Sequence, residues 1–184
     1  MYALNYRFTH LARGFAALLC SISFVATTMS NAQEPETVEV TSSAFEHHGM
    51  VAEEFSGYGA NASIDLNWAN LPEGTVQLAL ICDDPKVVEL GMMPAPFVHW
   101  VAYNIPAGAS GLPRGMARDA EITGIISLEG MINGVNGLGR TGYFGPRPPA
   151  NGQLHAYHFR VYALDADLAL VPGLNAEELR AAMD

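Results

Sequence analysis

The pattern of apolar and polar positions along the chain predicts three or four β-strands. Valine alternates with polar residues over 37–41, as in a strand with one buried face. Residues 76–82 are almost continuously apolar, which predicts a strand covered on both faces. Residues 97–105 and 157–164 are rich in aromatic and β-branched side chains, which favour strands.

One short helix is predicted at the end of the chain. Asn175 followed by Glu178 is typical of a reciprocal capping box, and Leu179 and Met183 would form one apolar side. Long stretches rich in glycine and proline separate the strands, at 49–69, 85–96, 106–115 and 130–152. Connections of this length in a compact domain are usually functional or packed by their own side chains. The chain is therefore predicted to be mainly β.

The first 32 residues have the layout of a secretory signal peptide. Arg7 and Arg13 give a positive start, an apolar run follows over 14–26, and Ser30-Asn31-Ala32 offers small residues for cleavage. We expect cleavage after Ala32, with residues 1–32 as the signal peptide and residues 33–184 as one domain.

Two alternatives for this segment are a membrane anchor and a lipoprotein signal. The apolar run is shorter than the roughly 20 residues that span a bilayer, which disfavours a membrane anchor. Processing as a lipoprotein at Cys20 would place the large side chain of Leu19 where a small residue is usual. We therefore predict no stable membrane insertion once the signal is removed.

Charge and cysteine content narrow the class of protein. The net charge is −10, and removal of two arginines with the signal would make it −12. Such an acidic domain has no basic stripe for nucleic acid, so nucleic-acid binding is not expected. Only Cys82 would remain after cleavage, so the mature chain would have no internal disulfide. Cys82 lies in an apolar run, where a buried, unreactive thiol is expected.

Several polar side chains stand beside the predicted strands. Asp84 follows the apolar strand and His99 lies within the next one. His155 and Tyr157 begin the last strand and, with a period of two, project to the same face. A proline-rich loop over 143–149 precedes them. These residues are candidates for one polar pocket.

Each candidate also has a purely structural explanation. His99 in an apolar strand fits a hydrogen-bonded core histidine, and Asp84 before Pro85 fits the cap of a turn. The prolines of the 143–149 loop fit a rigid connection that lowers the entropy of the unfolded chain. Spacing alone therefore indicates only a β-rich domain with a candidate polar pocket.

Several motifs, in order, resemble one known family. The segments that carry the resemblance are Gly59-Ala60-Asn61-Ala62-Ser63, Leu71-Pro72-Glu73-Gly74, Val98-His99-Trp100-Val101-Ala102-Tyr103-Asn104, Gly142-Tyr143-Phe144-Gly145-Pro146-Arg147-Pro148-Pro149 and Gly152-Gln153-Leu154-His155-Ala156-Tyr157. Together they are similar to the phosphatidylethanolamine-binding protein family, and in particular to its bacterial, Raf-kinase-inhibitor-like branch. The resemblance runs from about Phe45 to the last residue.

The resemblance implies a fold and a site. The fold would be two antiparallel sheets with a few peripheral helices. The site would be one shallow surface pocket that takes up phosphate, acetate or a phospholipid head group. The residues implied as ligand-binding are Asp84, His99, Tyr143, Gly145, Arg147, Pro148, Pro149, His155 and Tyr157.

Elementary chemistry then predicts how the pocket would hold an anion. Asp84, if it neighbours His99, would favour the protonated imidazolium. The Tyr157 hydroxyl would donate a hydrogen bond, and the backbone N–H groups of Gly145 and Arg147 would add donors. Arg147 stands where a small residue is common in the family, so its side chain could also cover or contact the anion.

Three kinds of function can be considered for such a pocket: ligand binding, binding of a protein partner, and catalysis. The preferred one is binding of a small anion or phosphorylated head group by a periplasmic or secreted protein. The alternative is an inhibitor or modulator of a protease or other protein partner. Catalysis is not expected, because no Gly-x-Ser-x-Gly nucleophile motif is present. His47 and His48 lack zinc-like spacing, so we predict no metal and no cofactor.

Overall fold

The computed structural model describes residues 2–6 and 38–184. The strands are β1 Tyr2–Tyr6, β2 Glu39–Thr41, β3 Leu66–Ala69, β4 Gln77–Asp84, β5 Phe97–Pro106, β6 Gly111–Leu112, β7 Ile132–Asn133 and β8 Ala156–Leu164. The α-helices are α1 Lys86–Glu89 and α2 Ala176–Met183, and single 3-10 turns lie at Glu53–Phe55 and Ile126–Leu128. The described part of the chain is therefore mainly β, as predicted.

The strands form two sheets. The larger has the order β1-β8-β4-β5-β7 and the smaller the order β2-β3-β6. All pairings are antiparallel except that of β1 with β8, which is parallel and lies at the edge of the large sheet. The predicted fold of antiparallel sheets with peripheral helices is confirmed.

β4 is the centre of the large sheet. All eight of its residues are buried, and it pairs with β5 on one side and β8 on the other. Leu78, Leu80 and Cys82 point into the main core between the sheets, where they meet side chains such as Trp68 of β3. The other residues of β4 are also buried, so side chains on the opposite face of the sheet must pack against them.

That opposite face carries a second, smaller core. Ala79 and Ile81 of β4 and Val101 of β5 pack there against Leu179 of α2. The helix begins as predicted: the Asn175 side chain accepts from the backbone of its first turn, and the Glu178 carboxylate accepts from the Asn175 amide. Cover on both faces explains why the sequence of β4 is apolar without alternation.

A β-bulge interrupts the pairing of β4 with β5 close to its end. Cys82 pairs with Trp100 but the next residue, Asp83, pairs with Val98, so His99 is an extra residue on β5. A bulge of this kind reverses the facing of the residues beyond it. Trp100 lies in the main core and Val98 against the second core, although period two would place them together.

Several short elements were not predicted. β3 lies in the 49–69 stretch, which was predicted to be a connection, and that prediction is wrong for residues 66–69. Buried Leu66 and Trp68 alternate there with exposed Asn67 and Ala69, but over only four residues, which is too short a pattern to recognise. The two-residue strands β6 and β7 and the four-residue helix α1 are also very short.

The predicted signal peptide lies mostly outside the described residues, with only β1 within them. Among the residues described, no helix is long and apolar enough to cross a membrane.

Candidate functional site

Three adjacent strands bring the predicted polar residues to one end of the large sheet. Asp84 is the last residue of β4 and His99 is the bulge residue of β5. β8 runs antiparallel to β4 with Asp83 opposite His158, so the start of β8, with His155 and Tyr157, meets the end of β4. Residues far apart in the chain are therefore neighbours at this corner of the sheet.

Asp84 and His155 form a buried pair. The His155 Nδ1 atom lies 2.6 Å from Asp84 Oδ2, and both side chains are almost fully buried. The other carboxylate oxygen, Asp84 Oδ1, accepts a hydrogen bond from the Lys86 amide at 2.9 Å. Since a carboxylate only accepts, the hydrogen shared with Asp84 Oδ2 belongs to His155 Nδ1. This leaves His155 Nε2 as the atom that faces away from the pair.

His99 has a different environment from the one expected. Its Nδ1 lies 2.7 Å from the carbonyl oxygen of Phe144, while the Phe144 amide donates to the His99 carbonyl at 2.8 Å. Its ring packs against Phe97, Phe144 and Tyr157, with ring centroids 4.8, 5.9 and 5.0 Å away. Asp84 therefore pairs with His155 and does not fix the orientation of His99, although its charge raises the pKa of His99.

The charge of His99 follows from this environment. Burial lowers its pKa from 6.5 to about 4, against the opposing effects of the Phe144 carbonyl and of Asp84. His99 is therefore neutral at neutral pH, with the hydrogen on Nδ1. The expectation of an imidazolium at this position is wrong, because the aromatic rings around it exclude water.

Two polar atoms of the cluster are buried without a protein partner. They are His155 Nε2 and the hydroxyl oxygen of Tyr157. Burial and then the charge of Asp84 raise the pKa of Tyr157, so its hydroxyl keeps its hydrogen and can donate. An unpaired buried polar group costs about 1–3 kcal/mol, which makes these atoms ready partners for a ligand or water.

The proline-rich loop is held by the segment over 55–61. The Gly145 amide donates to Asn61 Oδ1 at 2.6 Å, and the Gly57 amide donates to the Pro146 carbonyl at 2.9 Å. The Tyr58 hydroxyl donates to the Pro148 carbonyl at 2.6 Å. These bonds fix the loop next to the His99 ring, which Phe144 contacts.

Two of the predicted ligand-binding residues, Tyr143 and Gly145, form contacts within the fold instead. The Tyr143 hydroxyl donates to the Phe55 carbonyl at 2.8 Å, and its ring packs in the core against Trp100. The Gly145 amide is engaged by Asn61, and a Cβ on Gly145 would lie 2.1 Å from the Phe55 carbonyl oxygen. The predicted backbone donor at Gly145 is therefore wrong, since its hydrogen is already used.

The remaining predicted residues lie in the exposed part of the loop. Arg147 is exposed, and its guanidinium carbon lies 5.4 Å from the centre of the Tyr58 ring. Pro148 is half-buried and Pro149 is exposed. Tyr58 is 54% exposed and close enough to Tyr157 to contribute, after burial, Asp84 and Cys82, to its raised pKa. Arg147 and Tyr58 therefore form a rim beside the buried cluster.

A family model described as phosphatidylethanolamine-binding protein matches residues 41–184. The chain belongs to the phosphatidylethanolamine-binding protein family. A protein named UPF0098 from Methanothermobacter thermautotrophicus is 36% identical over 141 residues, covering 77% of this chain and 85% of that protein. LppC of Mycobacterium tuberculosis, whose name describes it as a candidate lipoprotein, is 36% identical over 148 residues, covering 80% and 65%.

Solved structures agree with the family assignment. A Chlamydia trachomatis protein, described as a candidate homologue of phosphatidylethanolamine-binding protein, has a TM-score of 0.67 at 31% identity and covers 80% of this chain and 88% of its own. Escherichia coli YbcL, described as a new member of the mammalian phosphatidylethanolamine-binding protein family, has a TM-score of 0.69 at 28% identity and covers 79% and 88%.

Several residues that contact the site of this family member were not predicted from the sequence as site residues. Tyr58 and Asn61 lie in a long glycine-containing stretch with no periodic signal, and only the fold brings them to the proline-rich loop. Phe144 is part of a quoted motif, but its contacts with His99, through both its carbonyl and its ring, were not predicted. Phe97 packs on His99 from two positions earlier in β5, a spacing that places both side chains on one side of a strand.

Two further features bear on what else could bind. In the described segments, no group of three or more His, Cys, Asp or Glu residues could hold a metal ion. A surface cavity of about 380 Å³ lies elsewhere, lined by residues such as Val98, Asn136, Glu177 and Arg180. It contains none of the predicted ligand-binding residues, and Arg180 in its wall is already paired with Asp83 at 3.2 Å.

Proposed function

We propose that this family member binds a small oxyanion or phosphorylated head group at the Asp84–His155–Tyr157–His99 cluster. The observation that supports this function is the pair of buried atoms without partners, His155 Nε2 and the Tyr157 hydroxyl. Both lie where three strands end, beside a rim that carries the cation of Arg147. A bound oxyanion would satisfy these groups.

The chemistry of the cluster favours binding over turnover. Tyr157 donates through its hydroxyl and can hold an anionic oxygen, while Asp84 orients His155 so that Nε2 faces away from the pair. Catalysis would also need an activated nucleophile; burial raises the pKa of the nearby Cys82 thiol, which keeps it protonated. We therefore propose a binding protein, and turnover of phosphoesters that disappears in His99→Ala would contradict this.

The first test removes the Tyr157 hydroxyl. Tyr157→Phe keeps the ring but deletes one charge-assisted hydrogen bond, so the dissociation constants for inorganic phosphate and phosphoethanolamine should rise about 10-fold or more. Isothermal titration calorimetry and ¹H–¹⁵N NMR at millimolar ligand would measure the change.

Tyr143→Phe is the matched control for that variant. It also removes one buried tyrosine hydroxyl, but that hydroxyl donates to the Phe55 carbonyl and not into the cluster. Its affinity for phosphate should therefore stay close to that of the natural protein. Equal affinities of natural protein and Tyr157→Phe, or no response of the cluster to either ligand, would contradict the proposed site.

Export to the periplasm or beyond is part of the proposal. The first 32 residues have the layout of a signal peptide, and a relative is named as a candidate lipoprotein. An exported binding protein would meet free phosphate esters and lipid head groups outside the cytoplasm.

A protein partner is the second candidate function. The observation that favours it is the exposed rim, in which the Tyr58 ring and the Arg147 guanidinium form a cation–π pair. Exposed tyrosine and arginine are common at the centres of protein interfaces. A protease or surface protein that binds the natural chain, but not Tyr58→Ala with anion binding intact, would favour this function.

A further inference from the structure

Three asparagines of the chain are each followed directly by a glycine. They are Asn133, Asn136 and Asn151. In this dipeptide the backbone nitrogen of the glycine can attack the Cγ atom of the asparagine side chain, because glycine has no Cβ to block the approach. In a folded protein the reaction also depends on exposure, on the hydrogen bonds of the two groups and on the room around the glycine. The three sites differ in all of these respects.

The Asn133-Gly134 pair is closed to this reaction. Asn133 is fully buried, and its side-chain amide nitrogen donates to two backbone carbonyls at 3.0 and 2.9 Å. The Gly134 amide, which would be the nucleophile, donates to the Val101 carbonyl at 2.8 Å. The site is crowded as well, since a Cβ on Gly134 would lie 2.5 Å from the Leu174 carbonyl oxygen. Attack would have to break these hydrogen bonds and displace backbone atoms.

The Asn136-Gly137 pair is closed in the same way. The Asn136 side chain is buried, and both its polar atoms are hydrogen-bonded to backbone groups at 2.9 Å. The Gly137 amide donates to the Val98 carbonyl at 2.8 Å. The Phe97 ring packs so closely that a Cβ on Gly137 would lie 2.9 Å from it. Reaction at this pair therefore requires local opening of the fold.

The Asn151-Gly152 pair is open. Both residues are exposed, in the connection between the proline-rich loop and β8. Within the described residues, no group accepts a hydrogen bond from the Gly152 amide, so its nitrogen is available for attack. A Cβ on Gly152 would have no atom within 4 Å, which leaves space for the tetrahedral intermediate.

The one hydrogen bond printed on the Asn151 side chain favours the reaction. Asn151 Oδ1 accepts from the Gln153 amide at 3.0 Å, which folds the side chain back towards the Gly152 peptide group. A donor on Oδ1 also withdraws electron density from Cγ and stabilises the negative charge that develops on the oxygen during attack. The loop itself thus supplies the nucleophile, the electrophile and a stabilising donor.

We infer that Asn151 is a deamidation site of the native protein, which reacts with Gly152 selectively over the two buried asparagine–glycine pairs. The Gly152 nitrogen forms a bond to Asn151 Cγ and gives up its hydrogen, and the side-chain nitrogen leaves as ammonia. Water then opens the resulting succinimide ring at either carbonyl, which yields aspartate or isoaspartate. Either product carries an additional negative charge.

The modification would alter the connection that leads into β8 and to His155. Isoaspartate carries the main chain through the side-chain carbon, so it lengthens this connection by one backbone atom. Both products add negative charge to a domain that is already acidic. The reaction needs no ligand, so it is independent of the proposed binding function.

Mass spectrometry of proteolytic fragments tests the selectivity after incubation of the native protein at pH 8. Conversion at Asn151 should be about 10-fold or more faster than at Asn133 and Asn136, because the closed pairs react only during local opening. In protein unfolded by urea, the three pairs should react at similar rates. Equal rates at the three pairs in the native protein, or an Asn151 that reacts only in urea, overturn the inference.

The products report on the mechanism. Reaction through the succinimide should give a mixture of isoaspartate and aspartate at position 151, whereas direct hydrolysis of the side-chain amide gives aspartate alone. Aspartate as the sole product would show that the Gly152 nitrogen does not take part, and this outcome overturns the assignment.

Variants locate the reaction at Asn151. On ion-exchange chromatography the natural protein should accumulate a more acidic form, and Asn151→Gln should not, because its longer side chain forms the corresponding ring much more slowly. Asn67→Gln is the matched control: it also replaces an exposed asparagine, but one followed by tryptophan. It should accumulate the acidic form as the natural protein does. Equal accumulation in Asn151→Gln overturns the inference.

Discussion

At the scale of single residues, partners decide what each imidazole can do. His99 and His155 are both buried, but one contacts a carbonyl and aromatic rings and the other a carboxylate. The same side chain therefore has a different hydrogen-bond partner in each place. The burial of His99 also makes folding sensitive to pH.

Acidification should destabilise the fold through His99. In the unfolded chain this residue titrates near 6.5, whereas burial lowers its pKa to about 4 in the folded chain. Between these values the unfolded state binds a proton that the folded state does not, so the free energy of unfolding falls as pH drops from about 6.5 to about 4. The loss should approach about 3 kcal/mol and stay constant at lower pH.

Urea denaturation between pH 7 and pH 4 measures this effect. His99→Gln has no titrating group at this position, so its loss of stability over the same interval should be smaller than that of the natural protein. All other acidic and basic groups are shared, and the difference isolates His99. Identical losses in the two proteins would show that His99 does not carry the pH dependence.

The sequence predicted which residues would meet but not how they would pair. Asp84, His99, His155 and Tyr157 could be identified because each stands at a strand end or in a recognisable motif. The partner of Asp84 could not, because period two assigns residues to a face of the sheet and does not fix which of two imidazoles contacts the carboxylate. Tyr143 shares the motif of the pocket residues, yet its hydroxyl is directed to the Phe55 carbonyl.

At the scale of elements, the proline-rich loop depends on the segment over 55–61. The two segments exchange hydrogen bonds through Gly57, Asn61 and Gly145. Neither has regular secondary structure that a pattern could predict, so their contact was invisible in the sequence. By contrast, strands β4, β5 and β8 and the cap of α2 were predicted within a few residues, because their apolar spacing and capping residues are local signals.

Gly145→Ala should weaken the contact between these segments. Its Cβ would lie 2.1 Å from the Phe55 carbonyl oxygen, a backbone atom that cannot move aside alone. We expect a loss of about 1–3 kcal/mol or more in the free energy of unfolding, as for other overpacked sites, together with weaker phosphate binding. Urea denaturation and calorimetry would measure both.

Gly108→Ala is the control for this change. A Cβ at Gly108 would have no atom within 4 Å, and its backbone is not left-handed, so neither stability nor binding should fall. Equal stability of Gly145→Ala and Gly108→Ala would mean that the two segments are not held as tightly as their hydrogen bonds indicate.

At the scale of the whole molecule, the cluster lies at the junction of the large sheet with its loops. Both described cores are built from residues 38 onwards, on the two faces of that sheet. β1 is an addition to the free edge of β8, where it pairs in parallel. Cleavage after Ala32 would remove β1 and expose this edge of β8.

The predicted cleavage can be tested on the exported protein. Mass spectrometry of its N-terminus should identify Gln33 as the first residue, since Ser30-Asn31-Ala32 precedes it. The same protein should unfold in one cooperative transition, because residues 33–184 are predicted to form one small domain. A mature chain that retains residues 1–32 would contradict the signal-peptide prediction and support an anchor.

The Asp84–His155 pair joins positions 71 apart in sequence, so the pocket exists only in the folded chain. A compound that occupies it therefore adds its binding free energy to the stability of the native state, about 2.7 kcal/mol at a concentration 100 times its dissociation constant. The melting temperature can therefore identify ligands: a library of metabolites can be ranked by the increase in melting temperature that each compound causes. Tyr157→Phe is the negative control for this screen.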